Sequence, residues 1–182
     1  MGLDDDLRRA AEAAAEHAGP GERVEAVLAA EPSAGRRVYL CAFDGGHGRT
    51  WLALDAAGAP VTSRSLVRET VSITALCEVA EETAGGGQLD ELRQKLLSLR
   101  LTENPPGIDD AEEAALALEA TIGAPPRVAT PAYLDEVGVA ARRLEEALGD
   151  GESPFARAMA SAWGPVEALT QQVQSAYKRE LR

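Results

Sequence analysis

Along the first third of the chain the apolar positions change period once, from helical to strand-like. Leu7, Ala10, Ala14 and Ala18 recur at helical spacing and predict a helix from about Leu3 to Ala18. Asp4, Asp5 and Asp6 suit its positive N-terminal end, and Gly19-Pro20 marks its stop. Because the apolar face is mostly alanine, the helix is expected to pack closely but weakly. Strand-like runs follow near 23–31, 36–44 and 49–55. In "RRVYLCAFD" the apolar residues are continuous rather than alternating, as in a strand covered on both faces, so this run is expected at the centre of the sheet. "DGGHG" reads as the hairpin loop into "RTWLALD". A phosphate-cradling loop would lead into a helix N-terminus instead.

After the turn "DAAGAP" the pattern is helical, with helices expected near 64–84, 88–101, 109–122, 131–148 and 153–180. Asp109 with Glu112 resembles a capping box, and Thr130-Pro131 and Ser153-Pro154 each set an N-cap side chain before a first-turn proline. Leu134, Val137, Ala141, Leu144 and Leu148 alternate intervals of three and four, and Phe155, Met159, Ala162, Val166, Leu169, Val173 and Ala176 continue the rhythm. Such spacing makes a narrow bundle seam, and the short "GDGE" connection folds the two segments back on each other. Pro165 should kink the second. The expected fold is therefore α+β: a small three-stranded antiparallel sheet with covering helices, then a helical C-terminal part ending in an antiparallel αα-hairpin. The division falls at residues 1–101 and 102–182, the second part packed on the first as one compact unit.

Composition narrows the function. The chain has 182 residues, 45% of them apolar but only 4% aromatic, so its core must be built mainly from Ala, Leu and Val. No apolar run approaches the roughly 20 residues that span a bilayer, and "MGLDDDLRR" fits neither a secretory signal nor a myristoylation site. A cytoplasmic protein without membrane contact is expected. The net charge of −12 repels phosphate backbones and argues against nucleic-acid binding. That charge is uneven: residues 101–150 carry eleven acidic against three basic side chains, a net −8, whereas residues 151–182 carry three against four, a net +1. Cys41 and Cys77 sit among apolar neighbours and are expected to be buried, reduced thiols, the strand and helix that carry them packing together. His17 and His47 lie far apart, and no HExxH, GxSxG or Walker A sequence is present.

One segment raises the question of chemistry. "CEVAEETAGGG", residues 77–87, groups Glu78, Glu81 and Glu82 before a triple glycine. With Glu69 it resembles the Nudix box of hydrolases that act on a nucleoside diphosphate linked to another moiety. In that register Glu78, Val79, Glu81 and Glu82 match, while Ser63, Cys77 and Ala84 replace the box's first glycine, arginine and last glycine. The resemblance implies magnesium held by Glu81 and Glu82. A looser resemblance, to the all-α pyrophosphohydrolases of the MazG group, would pair Glu78 and Glu81 with Asp109, Glu112 or Glu113. Either set supplies the hard oxygen ligands that magnesium prefers. On the other side, Leu66, Val67, Ile73, Leu76, Val79 and Ala80 already form an apolar face, which leaves the glutamates facing water. The favoured reading is a non-catalytic interaction or regulatory module without a cofactor. A magnesium-dependent nucleotide pyrophosphohydrolase is the alternative, and a small-ligand sensor the second. The last helix outruns its hairpin partner, so Val173, Ala176 and Tyr177 need another surface. The sheet and first helix of the same chain could supply it, or a second copy could; in a homodimer Trp163, Val173 and Tyr177 are the expected contacts, against the same helix of the partner or with Lys178, Arg179 and Arg182 meeting its acidic 101–150 region.

Overall fold

The structure, a computed structural model, describes residues 2–45, 49–85 and 88–149, with side chains for all of these except 76 and 78–89. The fold is α+β: five helices and a mixed sheet of four strands are described. The described residues divide into two compact units, one of residues 2–76 with 126–131 and the other of residues 77–125 with 132–149.

The first unit opens with α1 (Leu3–Ala15). It ends three residues short of the expected stop, in turns closed by His17 N–H on the Ala14 carbonyl at 2.8 Å and Ala18 N–H on Ala15 at 3.3 Å. β1 (Arg23–Ser33), β2 (Arg36–Asp44) and β3 (Arg49–Asp55) then pair as an antiparallel meander. As the unbroken apolar run required, β2 lies between β1 and β3, and all six residues from Val38 to Phe43 are buried. Their side chains alternate across the sheet. Tyr39, Cys41 and Phe43 pack with Ala29, Leu54 and the α1 alanines Ala10 and Ala14. Val38, Leu40 and Ala42 pack with Trp51 and Ala53 and with Leu66 and Val71 of α2 (Arg64–Gly85). β2 and α2 thus meet as expected, but Cys41 points the other way, its Sγ 4.0 Å from the Ala10 carbonyl oxygen.

The expected three-stranded sheet needs one correction. β4 (Val128–Ala129) adds a fourth, parallel strand beside β1, pairing Ala29 with Val128 and Ala30 with Ala129. Two residues are too few to show a period, and they sit in the proline-rich "GAPPRVATP", which reads as a linker. Just beyond this pairing the β1–β2 register shifts between Ala30 and Ser33, at Pro32, which has no N–H to give the ladder. Glu31 spans the turn, accepting from Gly35 N–H at 3.0 Å and from Arg37 Nη2 at 3.2 Å. These donors, the backbone one first, hold its carboxyl below the usual range.

Near the start of α2, residues 70–74 are all buried, three of them polar: Thr70, Ser72 and Thr74. Thr70 Oγ1 donates to the Leu66 carbonyl and Thr74 Oγ1 to the Thr70 carbonyl, each at 2.8 Å, so these hydroxyls are satisfied within the helix. The apolar face read from sequence misses them because a back-bonded threonine presents mainly its methyl group.

The second unit is helical: α3 (Gln88–Thr102), α4 (Ile108–Ile122) and α5 (Pro131–Leu148), with the end of α2. Its buried residues include Leu92 and Leu96 from α3, Ile108, Ala111, Ala115, Leu118 and Ile122 from α4, and Tyr133, Val137, Leu144 and Leu148 from α5. Tyr133 Oη donates to the Thr121 carbonyl at 3.3 Å. The α5 seam runs through Tyr133, Val137, Ala140, Leu144 and Leu148, with Leu134 and Ala141 half-buried on its flank. The Asp109–Glu112 capping box does not form. Gly107, at φ 89°, takes the N-cap position, which sets Asp109 inside the first turn. Loop residues 46–48 and the expected helix 153–180, with its half of the αα-hairpin, lie outside the described residues.

Candidate functional site

The surface where α3 runs beside α4 is the most distinctive of the helical unit. α3 carries leucines at 89, 92, 96, 97, 99 and 101, more than one helical face can hold. Leu92 and Leu96 are buried and Leu99 half-buried, at intervals of four and three. Leu97 and Leu101, four apart on a different stripe, are left 53% and 78% exposed. On α4, Leu116 is 50% exposed. Leu97 and Leu116, with Leu96 and the polar Asp90, Arg93, Gln94 and Glu112, line a groove of about 390 Å³.

Ion pairs tie the helices on both sides of these leucines. Arg93 Nη1 lies 3.2 Å from both Glu119 carboxylate oxygens and 4.0 Å from Asp90. A turn or two along, Arg100 Nη2 lies 2.6 Å from Asp109, and Nη1 bonds Glu112. Each exposed pair is worth roughly 0.2–1 kcal/mol, so their main effect is to fix register and direction. The helices consequently run antiparallel, with Leu97 and Leu116 between the pairs. Acid nevertheless dominates: residues 88–122 carry eight acidic and three basic side chains, a net −5.

The candidate magnesium ligands fall in two places. Glu69 is exposed on α2. Glu78, Glu81 and Glu82 lie further along the same helix, which continues to Gly85. Their side chains are outside the described set. Asp109 and Glu112 are both engaged by Arg100, and a metal held there would compete with that guanidinium. Glu113 is exposed and lines a separate groove of about 410 Å³ between α4 and α5, with Asp110, Arg143 and Glu146 over an alanine floor. Among the described residues no group of three His, Cys, Asp or Glu side chains is placed to hold a metal ion. Trp163, Val173 and Tyr177, the expected contact residues, lie outside the described residues.

The thiols differ from each other. Cys41 is fully buried, and burial pushes its thiol up to about 12, which makes it inert as a nucleophile at neutral pH. Cys77 is also unbridged but only half-buried, contrary to the expectation that both are enclosed. Its neighbours in sequence, Leu76 and Val79, predict burial without fixing which side of α2 is covered. No described helix is long and apolar enough to cross a membrane. In comparisons with known protein families, curated proteins and solved structures, nothing matches the chain.

Sequence reasoning placed the expected contact on the last helix and overlooked Leu97, Leu101 and Leu116. A signal was present, since once Leu92, Leu96 and Leu99 fill the inward stripe of α3, Leu97 and Leu101 have no inward position left.

Proposed function

We propose that the chain is a non-catalytic cytoplasmic interaction or regulatory module that self-associates through the α3–α4 face. The observation that carries this reading is the α3–α4 groove lined by Leu97 and Leu116, both about half exposed to water. Isolated apolar residues on a surface are ordinary, but a contiguous patch rimmed by charge has the anatomy of a protein contact. The reading keeps the spacing from Phe155 to Leu169 as the expected second arm of an αα-hairpin with α5, which leaves α3 and α4 to face a partner.

Light scattering across a concentration series tests it. The native chain is expected to give about twice its 19.1 kDa mass at tens of micromolar. The variant Leu97→Asp with Leu116→Asp is expected to give the monomer mass with an unchanged far-UV circular dichroism spectrum. A native chain that stays at monomer mass throughout the series would refute self-association, and a dimer indifferent to both substitutions would refute the face.

A further inference from the structure

The α3–α4 groove and the most exposed leucine of α3 do not meet within one chain. Leu96, Leu97 and Leu116 give the groove its apolar lining, and about 390 Å³ stands open there. Leu101 is not part of that lining and is 78% exposed, more than any other large apolar side chain among the described residues. It nevertheless lies on the same stripe of α3, since Gln94, Leu97 and Leu101 follow at intervals of three and four. One copy thus carries a hole without a knob and, about 10 Å along the helix axis from Gln94, a knob without a hole. Charge does not keep a second copy away. Of the eight acidic side chains of residues 88–122 only Asp90 and Glu112 line the groove, with Arg93 4.0 Å from Asp90 and Arg100 bonded to Glu112.

Resting on the self-association reading above, we infer that each groove receives Leu101 of a second copy, the two α3 helices lying antiparallel about a two-fold axis. In a two-fold contact one residue meets a different residue of the partner and the reverse contact follows by symmetry, so a single pairing fills both holes and covers both knobs. Leu101 enters beside the partner's Gln94, and the partner's Leu101 enters beside Gln94. Seven residues separate the two positions, so the axis falls midway, at Leu97 and Ser98. Leu97, about half exposed in the single chain, then lies against its own counterpart. A parallel pairing would set Leu101 against Leu101 and leave both grooves empty. The antiparallel contact also closes at two copies, with no free half to extend into a filament.

A pair of complementary variants of the full chain tests this arrangement separately from the face. Leu101→Ala removes the knob, and Gln94→Trp plugs the hole from an exposed position in its lining. Each variant alone, with an unchanged far-UV circular dichroism spectrum, is expected to dimerise at least about tenfold more weakly than the native chain. An equimolar mixture is expected to form the heterodimer in preference to either homodimer. There the intact Leu101 of the plugged copy meets the open groove of the other, and the truncated position faces the plugged groove. Isotope-labelled copies read by native mass spectrometry identify that heterodimer. If Leu97→Asp with Leu116→Asp disrupts the dimer while Leu101→Ala or Gln94→Trp keeps native affinity, the face stands and this arrangement is wrong. If both variants weaken the dimer but the mixture shows no preference for the heterodimer, the assigned pairing is likewise overturned. A native chain that is itself monomeric refutes the self-association on which the arrangement rests.

Discussion

Cys41 offers a direct test of how the sheet and α1 enclose their shared core. Its thiol is fully buried against Ala10, and its pKa rises from 9.0 to about 12 because burial disfavours the thiolate. In the unfolded chain the group releases its proton near its ordinary value, whereas the folded chain keeps it. Below about pH 9 both states hold the proton and the thiol contributes no pH dependence. Between about 9 and 12 the unfolded state binds fewer protons, so stability must fall as pH rises, by roughly 1.4 kcal/mol per unit. At pH 10.5 the loss from this one group is about 2 kcal/mol. Other groups also titrate in this range, so the useful quantity is the difference between the native chain and Cys41→Ala. Urea denaturation of both from pH 7.5 to 10.5 should give a difference that is flat to about pH 8.5 and then shifts against the native chain. A difference that stays constant to pH 10.5 would refute the enclosure of Cys41. Rapid modification of Cys41 by a small thiol reagent in a folded Cys77→Ser background would refute it as well.

If the apolar face of Leu66, Val67, Ile73, Leu76, Val79 and Ala80 leaves the glutamates to water, Glu81→Ala and Glu82→Ala should each change stability by less than about 0.5 kcal/mol, as substitutions on a solvated helix face usually do. Magnesium, with or without a panel of nucleotides, should leave the melting temperature in place, and a concentration-dependent rise would favour the hydrolase alternative. Leu144→Ala removes a fully buried side chain of α5 and should cost about 2–5 kcal/mol in urea denaturation, a smaller loss meaning that the α5 seam is looser than its burial indicates.

Strong periodicity made the longer elements legible. The unbroken apolar run of β2, the turn "DAAGAP" before α2, and Pro131 as the first residue of α5 all appear where the residues alone place them. Legibility failed where a local pattern had two physical outcomes. Asp109 and Glu112 have capping-box spacing, yet Gly107 takes the left-handed conformation, and the carboxylates turn to Arg100 nine and twelve residues earlier in the chain. Leu134 and Ala141 fit a bundle seam as well as Tyr133 and Ala140 do, and only packing decides between neighbouring stripes. β4 carries no signal of its own, because its pairing comes from β1. The exposed leucines were hidden by abundance: a leucine-rich helix resembles a buried one until the inward positions are counted.

The two-residue strand β4 has a consequence for how the protein is made. Val128 reaches Ala29 from 99 residues further along the chain, and the length-dependent part of closing such a loop costs roughly 4 kcal/mol. A ribosome therefore releases β1, β2, β3, α2, α3 and α4 before the sheet can be finished. Through that interval the nascent chain holds an open strand edge at Ala29 and Ala30, both buried in the finished protein. Unpaired edges of this kind recruit other chains. Fragments ending before residue 126 would keep that edge permanently and should aggregate, so the passage from about residue 55 to residue 129 is the stretch of synthesis in which a chaperone would matter most.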